Sequence, residues 1–109
     1  MAPVTTEAER WWISRVVSLV CCVCRNLGHG ETPAHYHHIR TGQGAGQRSG
    51  NGLGIPLCPA HHQHGGHGVA YHAGPKTFER IYGSELELLN QTILEVAEEV
   101  RCGNFRAGG

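Results

Sequence analysis

Three short stretches of this chain carry side chains able to hold a metal or move a proton. They are Cys21-Cys22-Val23-Cys24, then Ala34-His35-Tyr36-His37-His38-Ile39, then Ile55-Pro56-Leu57-Cys58-Pro59-Ala60-His61-His62. Cys21-x-x-Cys24 is the spacing at which two thiolates converge from one tight turn onto zinc. The pair alone is weak, because a redox dithiol or two buried thiols share that spacing. After thirty-three intervening residues, Cys58-x-x-His61 offers a thiolate and an imidazole at the same interval. Cys21, Cys24, Cys58 and His61 together satisfy a tetrahedral structural Zn2+ and leave no position open, with Cys22 as the bystander. The plainer alternative is a pair of reduced, buried turns that bind nothing.

Between the two knuckles, Tyr36 to Arg40 reads as one strand of a short hairpin. Neighbours in a strand point to opposite faces. Either His37 and His38 divide the work, one on metal and one toward substrate, or the backbone bends so that both serve one site. The Gly-rich stretch 41–54 follows. It lacks the GxxxxGK[ST] pattern of a phosphate-binding loop, yet its length favours a functional role over a bare connection. Arg48 and Asn51 are its side chains with chemistry; solvated loop positions are the competing reading. Beyond His62 lie His64, His67 and His72 among glycines. His64 reads as exposed, and either His67 or His72 can close a second metal site with His37 and His62.

Composition narrows the classes. Nine histidines and five cysteines in 109 residues are the unusual feature, and most of the sixteen glycines are concentrated between Gly28 and Gly74. A turn-rich chain of this size has a thin core, for which a bound metal is a usual remedy. The formal net charge of zero supplies no general field toward nucleic acid or membrane, although Arg25, Arg40 and Arg48 sit near the His-rich segments. No run approaches the ~20 apolar residues of a membrane span. Trp12 to Val23 is interrupted by Ser14, Arg15 and Ser18 and has no small-residue cleavage site, so no signal peptide is expected. An odd cysteine count without secretion favours metal over disulfides, and the expected compartment is the cytoplasm.

The elements that must position these groups are mostly helices. Thr6-Glu7-Ala8-Glu9 has the form of a capping box, and the apolar face that follows predicts a helix over about 6–20. Trp11 and Trp12 read as packing residues, with base stacking the alternative. Pro75 suits the first position of a helix running to Tyr82, with Phe78, Ile81 and Tyr82 inward and Gly83 as its stop. Ser84-Glu85-Leu86-Glu87 is a second capping box, after which Leu86, Leu89, Ile93, Val96, Ala97 and Val100 recur at helical spacing. No chemistry is expected on that last helix.

The assembled pattern resembles a known family. CxVCR at Cys21, HHI at His37, IPLCPxHH at Ile55 and 72-HAGPKTFERIYG-83 are similar to the HNH (ββα-metal) nucleases, and more narrowly to the phage-type, RecA-dependent (Ref-like) nucleases. The resemblance spans residues 15–95, and its specificity lies in the combined spacing. It implies an α+β fold: a small ββα-metal core with a structural zinc knuckle, flanked by an N-terminal helix and C-terminal helices. The whole chain, 1–109, would form one nuclease domain, with flexible ends at 1–5 and 103–109.

The resemblance also implies roles. His37 and His62 would hold a catalytic divalent metal (Zn, Mn, Ni, Co or Mg) and His38 would be the general base. Asn51 would shape the loop carrying that base. The family's usual third ligand falls on Gly66 here, so His72 takes its place, with His67 as the alternative. Arg40, Arg48 and Lys76 would contact nucleic acid. The implied partners are DNA and a RecA-type recombinase filament, without a membrane. Two other classes compete: a zinc-stabilised binding module that does not cut, and a histidine-rich metal carrier with several weak sites.

Overall fold

The computed structural model describes residues 5–41 and 53–103; the stretch 42–52, with Arg48 and Asn51, and both chain ends lie outside the described residues. Helix α1 (Glu7–Ser18) starts at the expected capping box, in which the Thr6 hydroxyl accepts from the Glu9 N–H and the Glu9 carboxylate accepts from the Thr6 N–H. Its Val16, with the following Leu19, packs on Val96, while Trp12 covers this cluster from the side. Trp11 is 47 % exposed. The helix stops at Val20, whose φ of 63° is a left-handed conformation that a β-branched residue adopts only under strain. That turn redirects the chain so that Cys21 caps the short helix α2 (Cys22–Asn26).

Strand β1 (His35–His38) pairs antiparallel with β2 (Gly54–Leu57), His35 opposite Leu57 and His38 opposite Gly54. All four residues of β2 are buried, because α1, α2 and α4 all pack on this strand. Tyr36 lies across Gly54 so closely that a Cβ there would fall 2.3 Å from its ring. Glycine at 54 is therefore a matter of space.

Past Cys58 the chain makes one π-helical turn, Ala60–His64, which Gly65 caps. Helices α3 (Pro75–Tyr82) and α4 (Glu85–Cys102) follow, each with the expected start: Pro75 at the first turn of α3 and the Ser84/Glu87 capping box at α4. The left-handed Gly103 closes α4. Among the described residues no helix is long and apolar enough to cross a membrane.

The fold is a small α+β unit built around this two-stranded sheet. The main core gathers Cys22, Val23, Ile39, Ile55, Leu57, Tyr71, Phe78, Leu88 and Leu89 around the cysteines. Arg25 ties α2 to α4 by a two-pronged ion pair with Glu95 at 2.8 and 2.9 Å.

The buried face of α4 differs from the apolar stripe in the sequence. Glu85, Leu88, Leu89, Thr92 and Val96 are buried, whereas Leu86, Ile93 and Val100 are 53, 42 and 44 % exposed. Ile81 of α3, expected inward, is 53 % exposed as well. The cause is a buried carboxylate. Glu85 points inward to accept hydrogen bonds (below), which turns the adjacent Leu86 outward on a helix of about 3.6 residues per turn. Leu88→Ala should accordingly cost about 2–5 kcal/mol in denaturant unfolding, while Leu86→Ala should stay within about 0.5 kcal/mol of wild type.

Candidate metal centre and active site

Two clusters of metal-capable side chains form, and both are made of residues singled out in the sequence. The first joins Cys21, Cys24, Cys58 and His61, all buried. Cys24 Sγ lies 3.8 Å from Cys58 Sγ, and His61 Nδ1 lies 3.7, 3.6 and 3.2 Å from the sulfurs of Cys21, Cys24 and Cys58. Four ligands at usual zinc bond lengths of about 2.3 Å to sulfur and 2.1 Å to nitrogen stand about 3.6–3.8 Å apart at tetrahedral angles. The donor set therefore fits zinc in spacing as well as in type. The Cys24 N–H donates to Cys21 Sγ at 3.4 Å, holding the knuckle closed. Burial pushes the Cys21 thiol up to about 12 and lowers His61, with His29 adding to the effect. A bound cation reverses the thiol's preference, since metal ligation needs the thiolate. Cys22 is buried beside the knuckle and stands outside the four.

The second cluster is His37, His62 and His72. Each comes from a different piece of local structure: β1, the π turn, and the loop ahead of α3. The chain reverses at Gly66, where φ is +79°, a conformation open to glycine. It then runs back beside the π turn. Tyr71 N–H donates to the His61 carbonyl at 2.8 Å and His72 N–H to the His62 carbonyl at 3.2 Å, which places His72 next to His62. The position four residues after His62 is thus spent on the turn that delivers His72. His67 goes elsewhere: its Nε2 lies 3.3 Å from the Thr77 hydroxyl and its ring fills the space beside Gly74.

His37 is fully buried, and its Nε2 lies 2.5 Å from a carboxylate oxygen of Glu85. Its Nδ1 is buried without a hydrogen-bond partner among the described residues. A buried imidazole nitrogen left in that state, in a trio of histidines, fits a metal ligand. Burial lowers His62 to about 4, and the neighbouring His37 and His72 add to this; burial, His37 and Arg40 also lower His72. Both are therefore neutral near pH 7, the form in which imidazole ligates. Three imidazoles with positions left for water and an anion suit Zn, Mn, Ni or Co.

His38 points to the other side of β1 from the buried His37, its ring edge-on to Tyr36 with centroids 5.2 Å apart. It lines an open depression of about 300 Å³ together with Tyr36, Arg40, His62, Gln63 and His72. The alternation of a strand thus puts one histidine on the metal trio and the next on the space in front of it. Lys76 is exposed at the start of α3 and does not line this depression. Arg48 and Asn51 lie outside the described residues.

A family model, recombination enhancement, RecA-dependent nuclease, matches residues 5–97. The chain belongs to that family. The match takes in both clusters and the depression beside them, and the family's description implies a nuclease role in recombination. No curated protein matches the chain.

The residue missed in the sequence is Glu85. Its signal was present, since it shares a helix face with Leu88, Leu89 and Thr92, a place where a carboxylate stays only if it has partners. The partners come from β1 and the residues after it, some 45 positions away. Two outcomes are expected from metal analysis of purified variants. Cys58→Ala should lose zinc and with it the cooperative thermal transition. His72→Ala should weaken a second, exchangeable metal by more than about tenfold, the least that loss of even an outer partner costs, while His67→Ala should leave it unchanged.

Proposed function

We propose that this protein is a metal-dependent HNH-type endonuclease or nickase that hydrolyses DNA phosphodiester bonds during recombination. We further propose that it is of phage or prophage origin and works in the host cytoplasm with a RecA-type filament. The observation that carries the reading is the placing of His38 and Arg40 on the same depression as His62 and His72, with His37 directly behind. The succession of β1, β2 and a helical turn that bears His62 supports a ββα-metal core.

Each side chain then has a task. His38 acts as the general base and takes a proton from the attacking water. The water oxygen bonds to phosphorus as the bond from phosphorus to the leaving oxygen breaks. Arg40 donates hydrogen bonds to the non-bridging phosphate oxygens, a contact guanidinium groups make in pairs. His37, His62 and His72 would hold a divalent cation, which when bound would supply positive charge toward the phosphate and the leaving oxygen. Cys21, Cys24, Cys58 and His61 would hold a structural zinc between α2, β2 and the π turn. Asn51 and Arg48, in the stretch after β1, would shape the loop and contact the backbone, and Lys76 would add a phosphate contact at the rim.

Nicking of supercoiled plasmid with Mg2+, Mn2+ or Zn2+, with and without a recombinase filament, tests the reading. His38→Ala should retain zinc and its thermal melt while losing about 10²–10⁴-fold in cleavage. Cleavage by the His38→Ala variant at the wild-type rate would remove His38 from the mechanism. Failure of folded, zinc-loaded wild type to cut under every condition would favour a binding module instead.

A further inference from the structure

Glu85 makes contacts that helix packing alone does not need. It is fully buried at the first position of α4. One carboxylate oxygen lies 2.5 Å from His37 Nε2. The other accepts from the Arg40 N–H at 2.9 Å, the Thr41 N–H at 2.7 Å and the Thr41 hydroxyl at 2.6 Å. Burial by itself would raise this carboxyl; the hydrogen bonds from His37, Thr41 and Arg40 outweigh burial and hold it down to about 2. These contacts engage nearly all of its lone pairs. Tyr71 packs its ring against His37 at 4.6 Å between centroids and closes the other side.

We infer that Glu85 is a positioning residue: it holds the proton of His37 on Nε2, so that Nδ1 presents a lone pair to the metal, and it anchors the backbone of Arg40 beside the same site. The inference rests on the reading of His37 as a metal ligand. Two of its consequences differ chemically. An imidazole whose far nitrogen donates to a carboxylate is fixed in tautomer and orientation and is a more basic ligand. An arginine whose own N–H is tied to that carboxylate starts its side chain from a fixed point, so the phosphate contact and the metal keep a constant separation. One carboxylate thus couples the cation to the group that grips the substrate anion. Glu85 itself reaches neither metal nor substrate.

The isosteric change Glu85→Gln separates these roles. The amide oxygen can still accept from Arg40 and Thr41, but the amide NH2 turned toward His37 is a donor. His37 Nε2 must then become the acceptor, and its proton moves to Nδ1, the nitrogen meant for the metal. Calorimetric titration of zinc-loaded protein with Ni2+ should show a loss of about 10–100-fold in affinity for Glu85→Gln, with the zinc content of the cysteine site unchanged. Nitrogen-15 spectra of the histidine rings, recorded before Ni2+ is added, should show His37 protonated at Nε2 in wild type and at Nδ1 in the variant. Unchanged Ni2+ affinity in Glu85→Gln would overturn the inference. So would a wild-type His37 protonated at Nδ1, which needs no variant and so decides the matter even if Glu85→Gln does not fold. The outcome is independent of cutting: wild type that fails to nick DNA, beside a variant that loses Ni2+, would remove the nuclease reading and leave the role of Glu85 standing.

Discussion

The convergence of Cys21, Cys24, Cys58 and His61 is the constraint on which the rest of the structure depends. The four donors come from two turns separated by 33 residues, and their spacing suits a single tetrahedral ion. The sheet has two strands of four residues each, and a hairpin of that size is not stable in water without packing or a covalent or metal crosslink. The core lies directly around the cysteines, with Val23, Ile55, Leu57 and Phe78 filling the space between α2, β2 and the C-terminal helices. The quartet's cysteines and these side chains share one buried core. The strained Val20, immediately before Cys21, is accounted for in the same way: the chain must turn abruptly there for α1 and the knuckle to share one core.

The second histidine cluster inherits its geometry from that scaffold. His61 and His62 are adjacent on the π turn, so the turn that delivers one ring to the buried quartet presents the next to the open depression. The same alternation occurs on β1, where His37 is buried and His38 faces the depression. Two backbone hydrogen bonds, from Tyr71 and His72 to the carbonyls of His61 and His62, complete the arrangement. A site made in this way is rigid because each ring is placed by regular backbone. Such rigidity suits the proposed chemistry, in which a general base and a cation would act at a fixed separation.

Much of this was legible in the residues. The two knuckles, the capping boxes at Thr6 and Ser84, and the proline start and Gly83 stop of α3 are local features, and local features are written in short windows of sequence. The apolar stripe of α4 was less legible. Leu86, Ile93 and Val100 have the spacing of a buried face and are exposed, because the face that is buried is led by a carboxylate. Periodicity ranks residues by transfer free energy and counts a glutamate as outward. It has no means of recognising that hydrogen-bond donors from β1 and the residues after it wait for it inside.

The sequence by itself marked which side chains could bind metal: the x-x interval set Cys22 aside, and adjacency on a strand offered a division between His37 and His38 without excluding a shared site. The residues alone left His67 and His72 both open, with His72 preferred only through the resemblance, and gave no function to Glu85. The tertiary structure groups His72 with His37 and His62 and brings Glu85 to His37. His72 reaches the trio through a reversal at Gly66 and pairing with the π turn, and Glu85 reaches His37 across about half the chain. The physical reason is common to both. Ligand type and short spacing follow from bond lengths and local torsions, whereas the choice between chemically identical histidines, and the burial of a charge, depend on which distant backbone happens to lie alongside.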